Sequence, residues 1–345
     1  MKKSAQIHKA LTIFAYTVML TGMTLLLAVV FRYPQNHLIP RQMIPGVGIC
    51  VIVLLAAGAL WNKIYFLIGK RTPLYLLALA IFGVLLYITS LSRQGNENTL
   101  VDYTYVYRDA MNLATGGTLE YTDYFVTYSN NLKPMLLLSV WFRVAVLLGI
   151  SPFHFVLLRN VLLVLLVVWA CGYLTEQKGD CRWRFPILLT FAFLLPLWDM
   201  VSVFYTDSMS FGLGILALAL LKKAGSTKTN KGKTLWSVLA GAVTVLAIIW
   251  KITAIIPLIA GAMILLWQRE KADRRVLMQY AAAAIVFGVG LQLWANTYDV
   301  TRKAAVTANP VISWVALGMK EDGSWTNNTE LVEQMYQFST KEEKQ

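Results

Sequence analysis

Apolar residues in this chain fall into long blocks separated by short polar connectors. The blocks lie near 10–31, 44–61, 72–91, 132–150, 152–174, 185–200, 204–222, 234–250, 252–268 and 275–295. Most have the length a helix needs to cross a hydrocarbon core about 30 Å thick. Helices are the expected spanning form, because lipid offers backbone N–H and C=O groups no partner. The pattern predicts an all-α polytopic membrane bundle.

Composition agrees with that pattern. Hydrophobic residues make up 57% of the chain and charged residues 14%, against roughly 45–50% and about 25% in soluble domains. The net charge of +13 would suit a nucleic-acid partner. However, the Lys and Arg residues cluster in the connectors, as orientation signals do, so no nucleic-acid role is expected. Cys50, Cys171 and Cys181 have neither metal-knuckle nor disulfide-framework spacing. The apolar stretch from Ala10 to Phe31 is too long for a cleaved signal peptide, and reads as a retained first span.

Charge placement sets the expected topology. With Lys2, Lys3 and Lys9 in the cytoplasm, Lys63, Lys70 and Arg71 are also inside and 92–131 is outside. Counting every block as a span would then put the lysine-rich connector Lys222–Lys233 outside, against the positive-inside rule. Demoting 132–150 repairs the pattern. This block opens with Lys133-Pro134 and carries Arg143 in its interior, which costs roughly 2.5–3.5 kcal/mol at a bilayer centre. It is expected to lie along the outer interface as an amphipathic helix. The expected molecule is a bundle over 1–295 of about nine spans, with an extracytoplasmic C-terminal segment over 296–345.

Candidate chemistry lies in the outward stretches. The cytoplasmic connectors contain no phosphate-cradling glycine loop, and the chain has no H-E-x-x-H metal motif. No cofactor is indicated; a divalent metal is compatible with the sequence but not signalled by it. In 92–131, Val101, Tyr105, Ala110 and Leu113 fall roughly on one helical face, with Asp102 near the first turn. Asp102 reads either as a helix-start carboxylate or as a general base for an incoming hydroxyl. The tyrosines around it, including Tyr128, have an ordinary explanation as interfacial aromatics. Asp207, in Tyr205-Thr206-Asp207, reads as a helix cap or a second acidic site group. Lys251 and Arg159 would snorkel to the interface or hold an anionic head group. The expected topology puts Asp102, Asp207 and Lys251 at one membrane boundary.

These residues, in this order, carry a resemblance. Asp102 leads into Tyr105, Ala110, Gly116-Gly117, Tyr121 and Tyr128-Ser129-Asn130-Asn131, and Tyr205-Thr206-Asp207 follows two spans later. Val311 to Met319, with Gly323 and Asn327, complete the set. The chain resembles the GT-C fold membrane glycosyltransferases, in particular the bacterial branch related to protein mannosyltransferases (glycosyltransferase family 39-like). The resemblance implies a sugar donor on a polyprenyl phosphate and a cell-envelope glycan, lipid or protein as acceptor, in a bacterial cell membrane. It implies Asp102 as base and Asp207 as the second catalytic carboxylate, at the outer-loop position that orients substrate or, in some branches, a metal. Tyr128, Asn130, Asn131, Tyr205, Lys251 and Arg159 are the expected substrate contacts. Members of that branch usually carry further spans after the Gly318 segment, so a shortened bundle and a piece of a longer one both stay open. Two other functional readings also stay open: a transporter or flippase of lipid-linked sugars, and a non-catalytic assembly subunit.

Overall fold

A computed structural model of the chain describes residues 52, 72–91, 101–176, 180–202, 206–268 and 274–307. The elements below belong to the compact unit Tyr65–Gln345. Among the described residues every regular element is helical. The expected spans at 10–31 and 44–61 lie outside the described residues, apart from Ile52.

Helix α1, Thr72–Leu91, has 20 residues and so spans about 30 Å at 1.5 Å per residue. That matches the hydrocarbon thickness. Helix α5, Pro152–Thr175, starts with proline at its first position, where the missing N–H would have had no intrahelical partner. Together with 206–226, 230–250 and 274–295, these make five helices long and apolar enough to cross a membrane among the described residues. A sixth is added if α6, Arg184–Phe193, and α7, Leu195–Ser202, form one crossing, bent by 74°. The bend has a local cause. Pro196 lacks the N–H that would have bonded the Ala192 carbonyl, and that carbonyl instead accepts from Trp198 Nε1 at 2.9 Å.

The crossing at 206–226 is also interrupted. Helix α8, Thr206–Ser210, and helix α9, Leu213–Ser226, are separated at Gly212, whose φ is +62°. A Cβ at Gly212 would stand 2.5 Å from Val167 of α5, so both conformation and space require glycine there. Helix α10, Asn230–Trp250, packs along α9 and against α12, Arg274–Ala295. Gly241 makes the α10–α12 approach close, since a Cβ would lie 2.8 Å from the Tyr280 carbonyl. Small residues serve this purpose where helices meet in lipid. Between them, α11 covers Ile256–Gln268 after a 3-10 turn at Ile252–Ile255.

Outward apolar faces complete the membrane character. Leu76, Leu77, Val84 and Ile88 of α1, and Met278, Ile285, Val286 and Leu293 of α12, are exposed. Apolar faces of this extent are what a bilayer covers. At one end of the bundle, Lys222 donates to the carbonyls of Tyr173, Leu174 and Glu176 at 2.8–3.0 Å, satisfying the last turn of α5.

Residues 101–147 hold three shorter helices that share the core of the bundle. Helix α2 is Val101–Ala114, α3 is Thr122–Thr127, and α4 is Leu132–Leu147. The predicted helix on the Val101/Tyr105 face is present, with Asp102 in its first turn. Helix α4 runs for 16 residues within the expected 132–150 segment. One side of it, with Met135, Leu138 and Phe142, is buried against α2, and Tyr107 meets Phe142 edge-on at 4.8 Å. The other side leaves Val140, Trp141, Val144 and Arg143 exposed. The C-terminal segment expected from position 296 begins with another helix, α13, Asp299–Thr307, which packs on α3 through buried Val300 and Ala304.

Candidate functional site

Two polar groupings concentrate the functional candidates. The first is built on α2 and α3. Asp102 sits where a helix start favours a carboxylate. One turn on, at the i+3 spacing that shares a helix face, comes Tyr105. Its ring contacts Tyr121 at 4.9 Å and Tyr124 at 4.5 Å, and Tyr124 in turn contacts Tyr128 at 5.0 Å. The four rings form a continuous aromatic wall. They line a cavity of about 510 Å³ together with Asp102, Glu120, Asp123 and Thr127.

A hydrogen-bond chain runs through that wall. Asn130 Nδ2 donates to Asn131 Oδ1 at 3.1 Å, Asn131 Nδ2 donates to Tyr124 Oη at 2.7 Å, and Tyr124 Oη donates to Asp102 Oδ1 at 2.9 Å. Asn131 is almost fully buried, which fixes the geometry of its amide. The chain aims the Tyr124 proton at Asp102. Asp102, Tyr128, Asn130 and Asn131, all expected from sequence, are thus brought together.

The cavity floor depends on a residue that sequence reasoning missed. Asp109 is fully buried, and its two carboxylate oxygens accept the backbone N–H groups of Glu120 and Tyr121 at 2.9 and 3.0 Å. Burial pushes the Asp109 carboxyl up from the usual range, while those two N–H groups pull it back down. The contacts close the turn containing Gly116, whose φ is +88°, and carry Glu120 and Tyr121 back onto α2. Arg108 donates to Tyr121 Oη at 2.9 Å on the outside of the same turn.

The second grouping joins α5, α8 and α10. Asp207 lies inside the first turn of α8, and its carboxylate pairs with Lys251, just beyond the end of α10. Arg159 of α5 donates to Asn160 Oδ1 and to the Met209 carbonyl, both at 3.0 Å, and lies 5.3 Å from the centre of the buried Trp250 ring. Among the described residues, no carboxylate is paired with the Arg159 guanidinium. The half-buried guanidinium thus keeps its charge uncompensated by any carboxylate among the described residues. Arg159, Asp207 and Lys251 are therefore gathered at one end of the bundle, opposite Lys222. None of the three lines the cavity beside Asp102. Tyr205 lies outside the described residues. No set of three metal-ligating side chains occurs among the described residues.

Some of the missed residues had a signal. Tyr121, Tyr124 and Tyr128 are spaced by three and four, and Asp102 and Tyr105 by three, which are helix-face spacings. Each tyrosine taken alone has the ordinary explanation of an interfacial aromatic; only the shared spacing associates them. Asp109 gave no sequence signal beyond its position in a helix.

The fold and these groupings define a polytopic α-helical integral membrane protein with a polar, tyrosine-lined cavity. The chain belongs to the family described as conserved hypothetical integral membrane protein, whose family model matches residues 42–345. Neither the curated proteins nor the solved structures compared with the chain show a match.

Proposed function

We propose that this protein is a membrane glycosyltransferase that moves a sugar from a polyprenyl-phosphate donor to an acceptor hydroxyl on the outer face of a bacterial cell membrane. In this reading the bundle is of the GT-C type, with about nine crossings, a cytoplasmic N-terminus and α4 along the outer interface. The observation that carries it is the Asp102 carboxylate on the wall of an open cavity, oriented by Tyr124.

The step is a single displacement. The acceptor oxygen forms a bond to the anomeric carbon as the bond from that carbon to the phosphate oxygen breaks. The acceptor proton passes to Asp102, and the bonding electrons leave with the polyprenyl phosphate. A phosphate leaving group carries its own charge and needs no proton, so one base suffices. Arg159, together with Lys251 when it releases Asp207, supplies cationic donors for that charge. Tyr128 and Asn130 contact the acceptor, and Asp207 orients the donor head through Lys251.

The test is transfer of labelled sugar from a polyprenyl-phosphate donor by the purified full chain in detergent. Activity lost in Asp102→Asn, with the protein still inserted and folded, supports the reading. Wild-type activity in that variant, or translocation of the donor without transfer, removes it.

A further inference from the structure

The cavity between α2 and α3 has a composition that selects its ligand. Its eight lining residues are Asp102, Tyr105, Glu120, Tyr121, Asp123, Tyr124, Thr127 and Tyr128: four phenol rings, three carboxylates and a hydroxyl, with no Lys, Arg or His. Arg108 is the nearby cation, close enough to Glu120 to interact with it electrostatically, yet its guanidinium is committed to Tyr121 Oη. The Glu120 carboxylate accepts from the Asn112 amide at 3.4 Å, and among the described residues neither Glu120 nor Asp123 is in an ion pair.

Physical chemistry narrows the choice of ligand. A phosphate or carboxylate group entering this cavity would meet three carboxylates and four electron-rich phenol rings. A group of positive charge spread over an apolar body gains from both, by Coulomb attraction to the carboxylates and by cation–π attraction to the rings. The fit is chemical as well as electrostatic. Alkylated ammonium groups carry CH surfaces that pack on tyrosine faces, and they make no demand for hydrogen-bond acceptors in fixed directions.

We propose that this cavity is a binding site for an ammonium group. The glycosyl-transfer reading makes it the acceptor's, since Asp102 on its wall is the group that takes the acceptor proton. That assignment rests on the reading above; the binding itself does not.

The experiment uses the purified full chain in a maltoside detergent, which contains no choline head group. Choline and tetramethylammonium are the probes, observed by saturation-transfer NMR on their methyl protons. The controls are acetate and 3,3-dimethylbutan-1-ol, the uncharged isostere of choline. Saturation of both ammonium probes is expected, with mutual competition. Affinity should fall about tenfold in Tyr105→Leu and again in the doubly neutralised Glu120→Gln/Asp123→Asn variant, whose altered side chains are exposed and leave the core intact. Equal binding of the uncharged isostere, or unchanged choline affinity in both variants, overturns the proposal. No choline binding by a chain that transfers sugar also overturns it, and leaves the transferase reading standing. Choline binding with the expected variant losses, in a chain without transfer activity, upholds the site and removes the transferase reading.

Discussion

Tyr124 Oη donates to Asp102 Oδ1 at 2.9 Å, joining positions 22 residues apart in the chain. The phenol is itself held by buried Asn131, so the contact positions the Asp102 carboxylate on the cavity wall. Asp102→Asn should abolish sugar transfer. Tyr124→Phe removes only the orienting hydroxyl and should lower kcat by about 10–100-fold, less than the roughly 10²–10⁴-fold of a general base itself. Steady-state kinetics of both variants check the order. Equal loss in both would mean that Tyr124 touches the reacting atoms itself.

Arg159 stacks on Trp250 and donates to two neutral oxygens. Its removal should weaken donor binding by about tenfold or more, because one charge-assisted contact to phosphate is worth about 1.5–3 kcal/mol. Arg159→Lys should restore little, since a lysine lacks the planar fork that bonds Asn160 and Met209 together. Binding of a short-chain polyprenyl phosphate to each variant is the measurement. Full rescue by lysine would show that only the point charge matters.

Asp109 carries a pH signature. Its folded pKa is raised, by burial first and by Glu120 in addition, above the value of about 3.9 in an unfolded chain. As pH falls, the native state therefore takes up this proton before the unfolded state does. The Asp109 contribution to stability rises as pH is lowered through the folded pKa, and levels off below about 3.9. Asp109→Asn removes that dependence. It also turns an amide donor toward one of two backbone N–H groups, which costs about 1–3 kcal/mol at neutral pH. Thermal unfolding of wild type and variant between about pH 4 and pH 7 makes the comparison, and parallel curves would sink the assignment.

Two glycines should tolerate almost nothing. Gly212→Ala forces a left-handed conformation costing about 1–2 kcal/mol, and places a methyl 2.5 Å from Val167. Gly241→Leu drives α10 away from the Tyr280 carbonyl and Ala283, with overpacking of roughly 1–3 kcal/mol. Gly225→Ala, with open space around it and a position near the end of α9, is the matched control and should be neutral. Detergent-resistant melting temperatures order the three.

Much of the membrane architecture was readable from the sequence. The block at 72–91 is the helix Thr72–Leu91, and those at 152–174 and 275–295 match Pro152–Thr175 and Arg274–Ala295 within a residue. The reason is physical. In lipid, hydrophobic length and backbone hydrogen bonding act on each segment separately, so each helix is written locally. Helix α2 was legible through the helical spacing of Val101, Tyr105, Ala110 and Leu113.

Tertiary structure decided what those segments bring together. Asp109 reaches Glu120 and Tyr121 only because the turn at Gly116 folds back onto α2. Arg159 meets Met209 only because α8 breaks at Gly212 beside α5. The packing of α13 on α3 ties a polar C-terminal stretch to the helix that bears Tyr124, and no periodicity announces it. Local propensity specifies a helix and the face it presents. Which faces meet depends on packing between residues tens of positions apart, and both the tyrosine-walled cavity and the Arg159 grouping are products of that packing.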